Sequence, residues 1–225
     1  MGPCVVAVDI GSVKAPSKFA WAAFDVPVQD SIAEGEDPSS AMERLAAGLA
    51  DDRQAVLLLE SPMSVPVPDA DDTGWHWLGK AREGEGNRPW SAGAGAGVLA
   101  TGLAQAAWML SRLAVATPDL TVTTQPGRWQ AGRARLLLAE AFVSGAGKPV
   151  PVVAGQHAAD AKAAGRALVE RLRDGGPLAS DVRCAPHNPL NLLAATALWA
   201  GLALNPDELH NDVLVVRVKP IPAHL

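Results

Sequence analysis

Two apolar runs of this 225-residue chain end in a carboxylate, and they constrain its fold more than any other feature. The segment VVAVDIG carries Asp9 at the end of the first run, and AVLLLES carries Glu60 at the end of the second. Short continuous apolar runs are typical of strands that are covered on both faces of a sheet. The chain is therefore predicted to be an α/β protein with a central mixed sheet and helices on both faces.

The order of the remaining predicted elements agrees with this class. Strands are predicted at 5–10, 18–26, 54–61, 120–124, 134–143 and 212–218, and helices at 39–51, 93–117, 156–176 and 188–204. The first two strands are expected to form a hairpin, and a third hairpin strand within 26–32 has weaker support. Because helices alternate with most of the strands, a layered arrangement is favoured over separate all-α and all-β parts.

Residues 61–93 interrupt this regular pattern. They contain four proline and five glycine residues together with Trp75, His76 and Trp77. A stretch of this length without periodicity is usually a lid, a binding loop or an insertion. We predict one domain over 1–225, with a loop insertion at 61–93.

Charge and cysteine content bound the possible partners and the compartment. The net charge is −5, which argues against a protein that coats nucleic acid non-specifically, although a local basic groove remains compatible with it. The two cysteines, Cys4 and Cys184, have no metal-type spacing and are predicted to be reduced. With apolar stretches interrupted well before the length of a membrane span, the sequence favours a cytoplasmic protein without a membrane partner. A homodimer is one option for its oligomeric state.

Four acidic residues occupy corresponding places in the predicted elements. Asp9 and Glu60 end strands, Glu140 lies late in a third strand, and Asp160 lies in the first turn of the following helix. Ligands of open α/β sheets bind beyond strand ends, so these carboxylates are expected to converge. Crowded carboxylates repel unless a cation neutralises them, and Mg²⁺ or Mn²⁺ prefers such oxygen ligands. Asp9, Glu60 and Asp160 are thus predicted metal ligands, with Glu140 completing or tuning the site.

Four other polar residues are predicted to act around this centre. His157 lies three residues before Asp160, so both side chains would share one face of a helix. Lys14, Lys162 and Arg88 are predicted to contact the phosphates of a substrate. Each residue also has a simpler interpretation, such as a turn cap, a helix first-turn acid or a solvated charge.

The motifs AVDIGS, FAWAAF, AVLLLESP, EAFVSG, HAADAKAA and NLLAATALWAGL together resemble the RNase H-like superfamily, which includes RuvC-type resolvases. They are similar in particular to bacterial domains of unknown function that are predicted RNase H-fold nucleases. The resemblance implies an RNase H-like fold, nucleic acid as partner, and hydrolysis of phosphodiesters with Mg²⁺ or Mn²⁺. It implies metal ligation by Asp9, Glu60 and Asp160, and a proton-shuttle or ligand-neighbour role for His157.

Two alternatives stay open at the level of sequence. Related domains often carry acids at the start of the final helix, where this chain has Asn188 and Asn191, so the fold could be a non-catalytic partner-binding copy. The strand–Asp–x–Gly turn at Asp9 also resembles the phosphate loop of actin-like and sugar-kinase ATPases. That class requires a second such turn, which the sequence does not show.

Overall fold

The computed structural model describes residues 2–12, 14–15, 18–71, 73–86, 89–150 and 155–219. Its strands are β1 (Cys4–Asp9), β2 (Ala20–Asp25), β3 (Ala33–Gly35), β4 (Ala55–Glu60), β5 (Ser64–Val67), β6 (Val122–Thr123), β7 (Leu136–Phe142), β8 (Asn188–Asn191) and β9 (Val215–Arg217). Its α-helices are α1 (Pro38–Gly48), α2 (Gly93–Ala116), α3 (Pro126–Gln130), α4 (Gln156–Arg173) and α5 (Leu192–Trp199).

Seven strands form the central sheet in the order β3-β2-β1-β4-β7-β6, with β9 also paired to β7. Strands β1, β2 and β3 pair antiparallel, while β4, β7, β6 and β9 run parallel to β1. The sheet is therefore mixed, as predicted, and the expected hairpin of the first two strands is confirmed. A separate ribbon pairs β5 with β8.

Alternation along the strands divides the apolar side chains between the two faces of the sheet. Val6, Val8, Leu57 and Leu59 lie on one face, in the core shared with α1, α2 and α5. Val5, Ala7, Val56 and Leu58 lie on the other face, in the core shared with α4. Helices thus cover both faces, and the predicted α/β class is confirmed.

Helix α4 lies very close to the sheet because of one glycine. A Cβ atom added at Gly165 would lie 2.1 Å from Cε2 of Phe24 on β2, so a side chain there would push the helix away. Ala161 and Ala164 on the same helix are buried, and their small size permits the same approach. This close packing holds the middle of α4 against β2, and the helix contacts β1 as well.

The predicted final helix is wrong in its first turn. Residues 188–191 form β8, and the helix begins only at Leu192, because the Asn191 side chain caps it by accepting a hydrogen bond from Ala194 N at 2.9 Å. Pro189, which cannot donate a hydrogen bond within a helix, is accommodated in the two-stranded ribbon. The third hairpin strand also lies outside the predicted 26–32 range, at Ala33–Gly35.

Helix α2 is the one helix of the described chain that is long and apolar enough, by length and composition, to cross a membrane. The sequence prediction had excluded such a span. Its buried residues include Met109, Leu110 and Leu113, and the helix packs against α1 and α5. This contact places α2 in the helical layer on one face of the sheet.

The predicted insertion contains more order than its composition indicated. Within its described parts, 61–71, 73–86 and 89–93, lie strand β5 and a 3₁₀ turn at Gly74–Trp77. Trp75 and Trp77 are 64% and 52% exposed, and the contact of the Trp77 ring with His187, at 5.8 Å between ring centres, lies at the surface. The anchor is instead Arg82, which is 2% exposed.

Candidate metal centre

Strand register brings Asp9 and Glu60 side by side. β1 and β4 pair in parallel with Asp9 opposite Glu60, so their side chains leave the same face of the sheet. Each residue is last in its strand, where the apolar run ends and the chain turns away. Both carboxylates therefore stand at the carboxyl edge of the sheet, on the face that α4 covers.

Helix α4 supplies the third carboxylate and an imidazole. Asp160 lies in the second turn of α4, inside the packed surface, and is 1% exposed. His157, one turn earlier, places Nδ1 2.9 Å from Oδ2 of Asp9. Gly11, two residues after Asp9, lets the chain pass close to Lys18, because a Cβ atom there would lie 1.4 Å from Lys18 O.

The three carboxylates form a cluster that could hold a metal ion. One oxygen from each of Asp9, Glu60 and Asp160 lies within 4.8 Å of the other two. The triad, as we call these three residues, was predicted from sequence, and the structure brings all three together. Oε2 of Glu60 is buried and has no hydrogen-bond partner. Because buried polar atoms are normally paired, a cation bound at this oxygen would satisfy it.

Burial and mutual repulsion act on the protonation of the triad. Burial raises the pKa of Asp9 to about 6, although the hydrogen bond from His157 opposes the rise. The pKa of Glu60 lies well above its usual value because the side chain is buried and because Asp9 and Asp160 repel its charge. Without a metal ion, the fold therefore shifts Asp9 and Glu60 toward their protonated forms relative to the unfolded chain.

Asp160 is the best compensated member of the triad. Lys148 Nζ lies 2.9 Å from its Oδ2, and Gln156 Nε2 donates a hydrogen bond to its Oδ1 at 2.6 Å. Burial would lower the pKa of Lys148, but Asp160, Glu60 and Asp9 outweigh that effect and raise it. Sequence reasoning missed Lys148 and Gln156. Gln156 at four residues before Asp160 on a helix was a usable signal, whereas Lys148 lies on a preceding turn and gave none.

The structure does not bring Glu140 into the triad. Glu140 pairs in register with Leu59 rather than Glu60, so its side chain leaves the opposite face of the sheet. There Arg82 binds it with two charge-assisted hydrogen bonds of 2.8 and 2.7 Å, and Met63 N donates a third of 2.8 Å. Its predicted role in completing the metal site is replaced by an ion pair that anchors the insertion.

Asn188 and Asn191 also lie apart from the triad. Asn188 donates a hydrogen bond to Asp69 from the exposed ribbon, at 2.8 Å. Asn191 is fully buried, caps α5 and donates to Thr124 Oγ1 at 2.8 Å. The structure therefore gives these asparagines structural tasks, and the late acid next to β1 and β4 is Asp160 of α4.

The predicted phosphate-contacting residues are dispersed. Lys162 forms an ion pair with Glu34 at 2.8 Å. Lys14 is exposed and lines an open cavity of about 330 Å³ between the loop after β1 and helix α2, together with Thr101 and Gln105. Arg88 lies outside the described residues. Ile10 and Gly11 line the same cavity, directly after the strand that carries Asp9.

Comparisons with protein-family models, with curated proteins and with solved structures find no match for this chain. Its fold and its site define it as an α/β protein with an acidic triad at the carboxyl edge of its sheet.

Proposed function

We propose that this protein is a metal-dependent nuclease of RNase H-like fold, which hydrolyses phosphodiesters with Mg²⁺ or Mn²⁺. The observation that carries the proposal is the triad itself: three carboxylates from β1, β4 and α4, of which Asp9 and Asp160 are buried and Glu60 is half-buried, with ligand atoms within 4.8 Å of one another. A first-strand Asp, a Glu that ends the strand after the first helix, and an acid on a late helix are the ligand set that the sequence resemblance implies.

Donor chemistry favours these ions. The triad offers carboxylate oxygens alone, and hard oxygen ligands suit Mg²⁺ or Mn²⁺ better than Zn²⁺, which in proteins usually has nitrogen or sulfur ligands. Bound there, such an ion would activate water and stabilise the charge that develops on a phosphodiester. Asp9, Glu60 and Asp160 would hold it, with Gln156 orienting Asp160 from its other side.

His157 is placed to move a proton at the edge of the triad. Above pH 6 an ionised Asp9 accepts a hydrogen bond from Nδ1–H of His157, which leaves Nε2 of the ring as the free acceptor. The ring is about one-third exposed, so Nε2 can face water or a substrate oxygen. We assign His157 the role of receiving the proton from the attacking water, or of passing it to solvent.

The non-catalytic alternative depended on Asn188 and Asn191 as replacements for catalytic acids. Their positions in β8 and at the cap of α5 remove that argument, since Asp160 supplies the third acid. The ATPase alternative has no separate support from the site. It predicts that ATP with Mg²⁺ raises the melting temperature, which a thermal-shift assay tests.

Calorimetric titration with Mn²⁺ tests the metal site directly. We expect wild-type protein to bind Mn²⁺ and Asp9→Asn to lose most of that binding, because the variant removes one charge and one ligand. Asp30→Asn is the matched control, since Asp30 is exposed and pairs with Arg166 on the surface. Equal binding by wild type and Asp9→Asn, or no binding by either, would overturn the metal site.

Cleavage assays then test the activity. Labelled single-stranded and duplex DNA and RNA would be incubated with Mn²⁺ and with wild type, Asp9→Asn, Glu60→Gln or Asp30→Asn. We expect cleavage of at least one substrate by wild type and Asp30→Asn, and its loss in the two triad variants. Mn²⁺ binding without cleavage of any of these substrates would separate metal binding from nuclease activity.

A further inference from the structure

Among the residues that the structure describes, Lys148 is the one basic side chain that forms an ion pair with a member of the triad through a Lys or Arg group. Its Nζ lies 2.9 Å from Oδ2 of Asp160, while its side chain remains 40% exposed. The contacted carboxylate is almost fully buried, so the ammonium approaches from the solvent side of the site. Lys148 thus stands between the buried acids and the solvent.

Neighbouring cations of the same basic stretch, residues 128–173, are engaged elsewhere. Lys162 pairs with Glu34 and Arg166 with Asp30, both on the surface of the protein. Arg171 pairs with Asp181 near the far end of α4. Lys148 therefore differs from these three cations, which form ion pairs away from the triad, because it contacts a member of the triad.

Charge balance gives this contact a consequence. Three carboxyl groups lie together here, Lys148 contacts Asp160 alone among them, and Oε2 of Glu60 keeps no partner. Lys148 therefore compensates the triad only in part. A divalent ion would compensate it better, and both cations would compete for the Oδ2 atom of Asp160.

We propose that Lys148 is an exchangeable counter-ion of the metal site and a positioning residue for substrate: metal binding displaces its ammonium from Asp160, and the released ammonium then binds a phosphate of the nucleic acid. This inference rests on the proposed function. The long, flexible stem and the partial exposure of Lys148 let the ammonium leave Asp160 without rearrangement of the sheet or of α4. Substrate binding thereby becomes coupled to metal binding through one side chain.

The first test measures Mn²⁺ affinity by calorimetry for wild type, Lys148→Met and Lys148→Arg. Removal of the competing charge should tighten Mn²⁺ binding about tenfold in Lys148→Met, as expected for a unit charge about 5 Å from a divalent ion in a largely hydrated site. Lys148→Arg keeps the charge and should stay near wild type. Arg166→Met is the matched control, because it removes one positive charge from a surface pair on α4 and should leave the affinity unchanged.

The second test measures binding of a labelled single-stranded DNA oligonucleotide by fluorescence anisotropy, as a function of salt, with and without Ca²⁺. Loss of one phosphate contact lowers the slope of log affinity against log salt by about 0.7 for a single strand. We expect this loss in Lys148→Met when Ca²⁺ is present and no change of slope without it. Arg166→Met should match wild type in both conditions.

The outcomes separate the two proposals. If Lys148→Met binds Mn²⁺ as tightly as wild type or more weakly, the role of Lys148 is overturned and the metal site is left intact. The same holds if, with Ca²⁺ present, Lys148→Met and wild type show the same slope of log affinity against log salt. Absence of Mn²⁺ binding in wild type and in all variants overturns the proposed function and this inference with it. Cooperative thermal unfolding of Lys148→Met without metal would establish that the variant is folded.

Discussion

Two buried clusters of acids lie on opposite faces of the same sheet edge, and they differ in how their charge is compensated. On one face, Glu140 and Glu85 share the guanidinium of Arg82, and all three side chains are fully buried. On the other, the triad has three carboxylates, a partly exposed Lys148, and one oxygen without a partner. In the first cluster the guanidinium contacts both carboxylates and the unpartnered atom is Arg82 Nε, whereas in the second the unpartnered atom is a carboxylate oxygen, which a cation could bind. This contrast distinguishes a structural ion pair from a candidate ligand site.

The origin of the difference is a single step in register. Glu60 and Glu140 both lie near the ends of neighbouring parallel strands, but Leu59 rather than Glu60 is opposite Glu140. Because successive side chains of a strand alternate between faces, the two glutamates enter different environments. Arg82 of the insertion closes one environment, while α4 delivers another acid to the other.

The largest expected effect comes from removing the guanidinium that Glu140 and Glu85 share. Arg82→Met should destabilise the protein by about 3–5 kcal/mol, because two buried carboxylates lose their counter-ion. Urea unfolding followed by tryptophan fluorescence measures the change. Arg166→Met is the control and should change stability by about 1 kcal/mol or less, as expected for an exposed pair. A loss of under 1 kcal/mol in Arg82→Met would contradict the role of Arg82 as an anchor.

A smaller effect on stability is expected when pH changes the protonation of the triad. The pKa of Asp9 rises on folding from 3.8 to about 6, so the folded state binds more protons than the unfolded state between these values. Stability of the metal-free protein should therefore fall as pH rises through this window, by about 3 kcal/mol from this group. Urea unfolding of wild type and Asp9→Asn in EDTA, from pH 4 to pH 7, isolates the contribution. A wild-type stability that rises relative to Asp9→Asn across the window would refute the assignment.

Neutralising Glu60 should stabilise the metal-free protein, in contrast to the effect at Arg82. The pKa of Glu60 is raised by burial and by its two acidic neighbours, so the ionised form is unfavourable in the fold. At pH 8 in EDTA, Glu60→Gln should be more stable than wild type, because the amide does not carry the charge that burial and the acidic neighbours disfavour. Thermal unfolding measures this change, and added Mn²⁺ should stabilise wild type but not the variant. A lower melting temperature in EDTA would show that Glu60 is compensated after all.

The smallest effect is expected at Lys162, which the sequence had assigned to substrate and the structure pairs with Glu34. Both side chains of this pair are more than one-third exposed, so Lys162→Met should change stability by about 0–1 kcal/mol. Its oligonucleotide binding should keep the wild-type dependence on salt. A reduced salt slope in this variant would restore the sequence-based assignment.

The amino-acid sequence by itself determined the class of the fold and the three members of the triad. Continuous apolar runs that end at Asp9 and Glu60 define buried parallel strands, and strand ends of one sheet meet at the same edge. Asp160 was predicted from its place near the start of the helix that follows, although the structure puts it in the second turn of α4 and not in the first. These inferences need only local patterns and the geometry of a sheet.

Tertiary structure alone decided which acids belong together and what compensates them. Register separated Glu140 from the triad, and the partner of Glu140 comes from an insertion, 58 positions away in sequence, whose composition gave no sign of a buried arginine. Lys148 and Asp9 likewise meet the α4 residues Asp160 and His157 only through packing of the chain. Local sequence patterns specify which face of a helix or strand is buried. They do not specify which residue of a distant segment contacts that face, because this depends on how the segments pack.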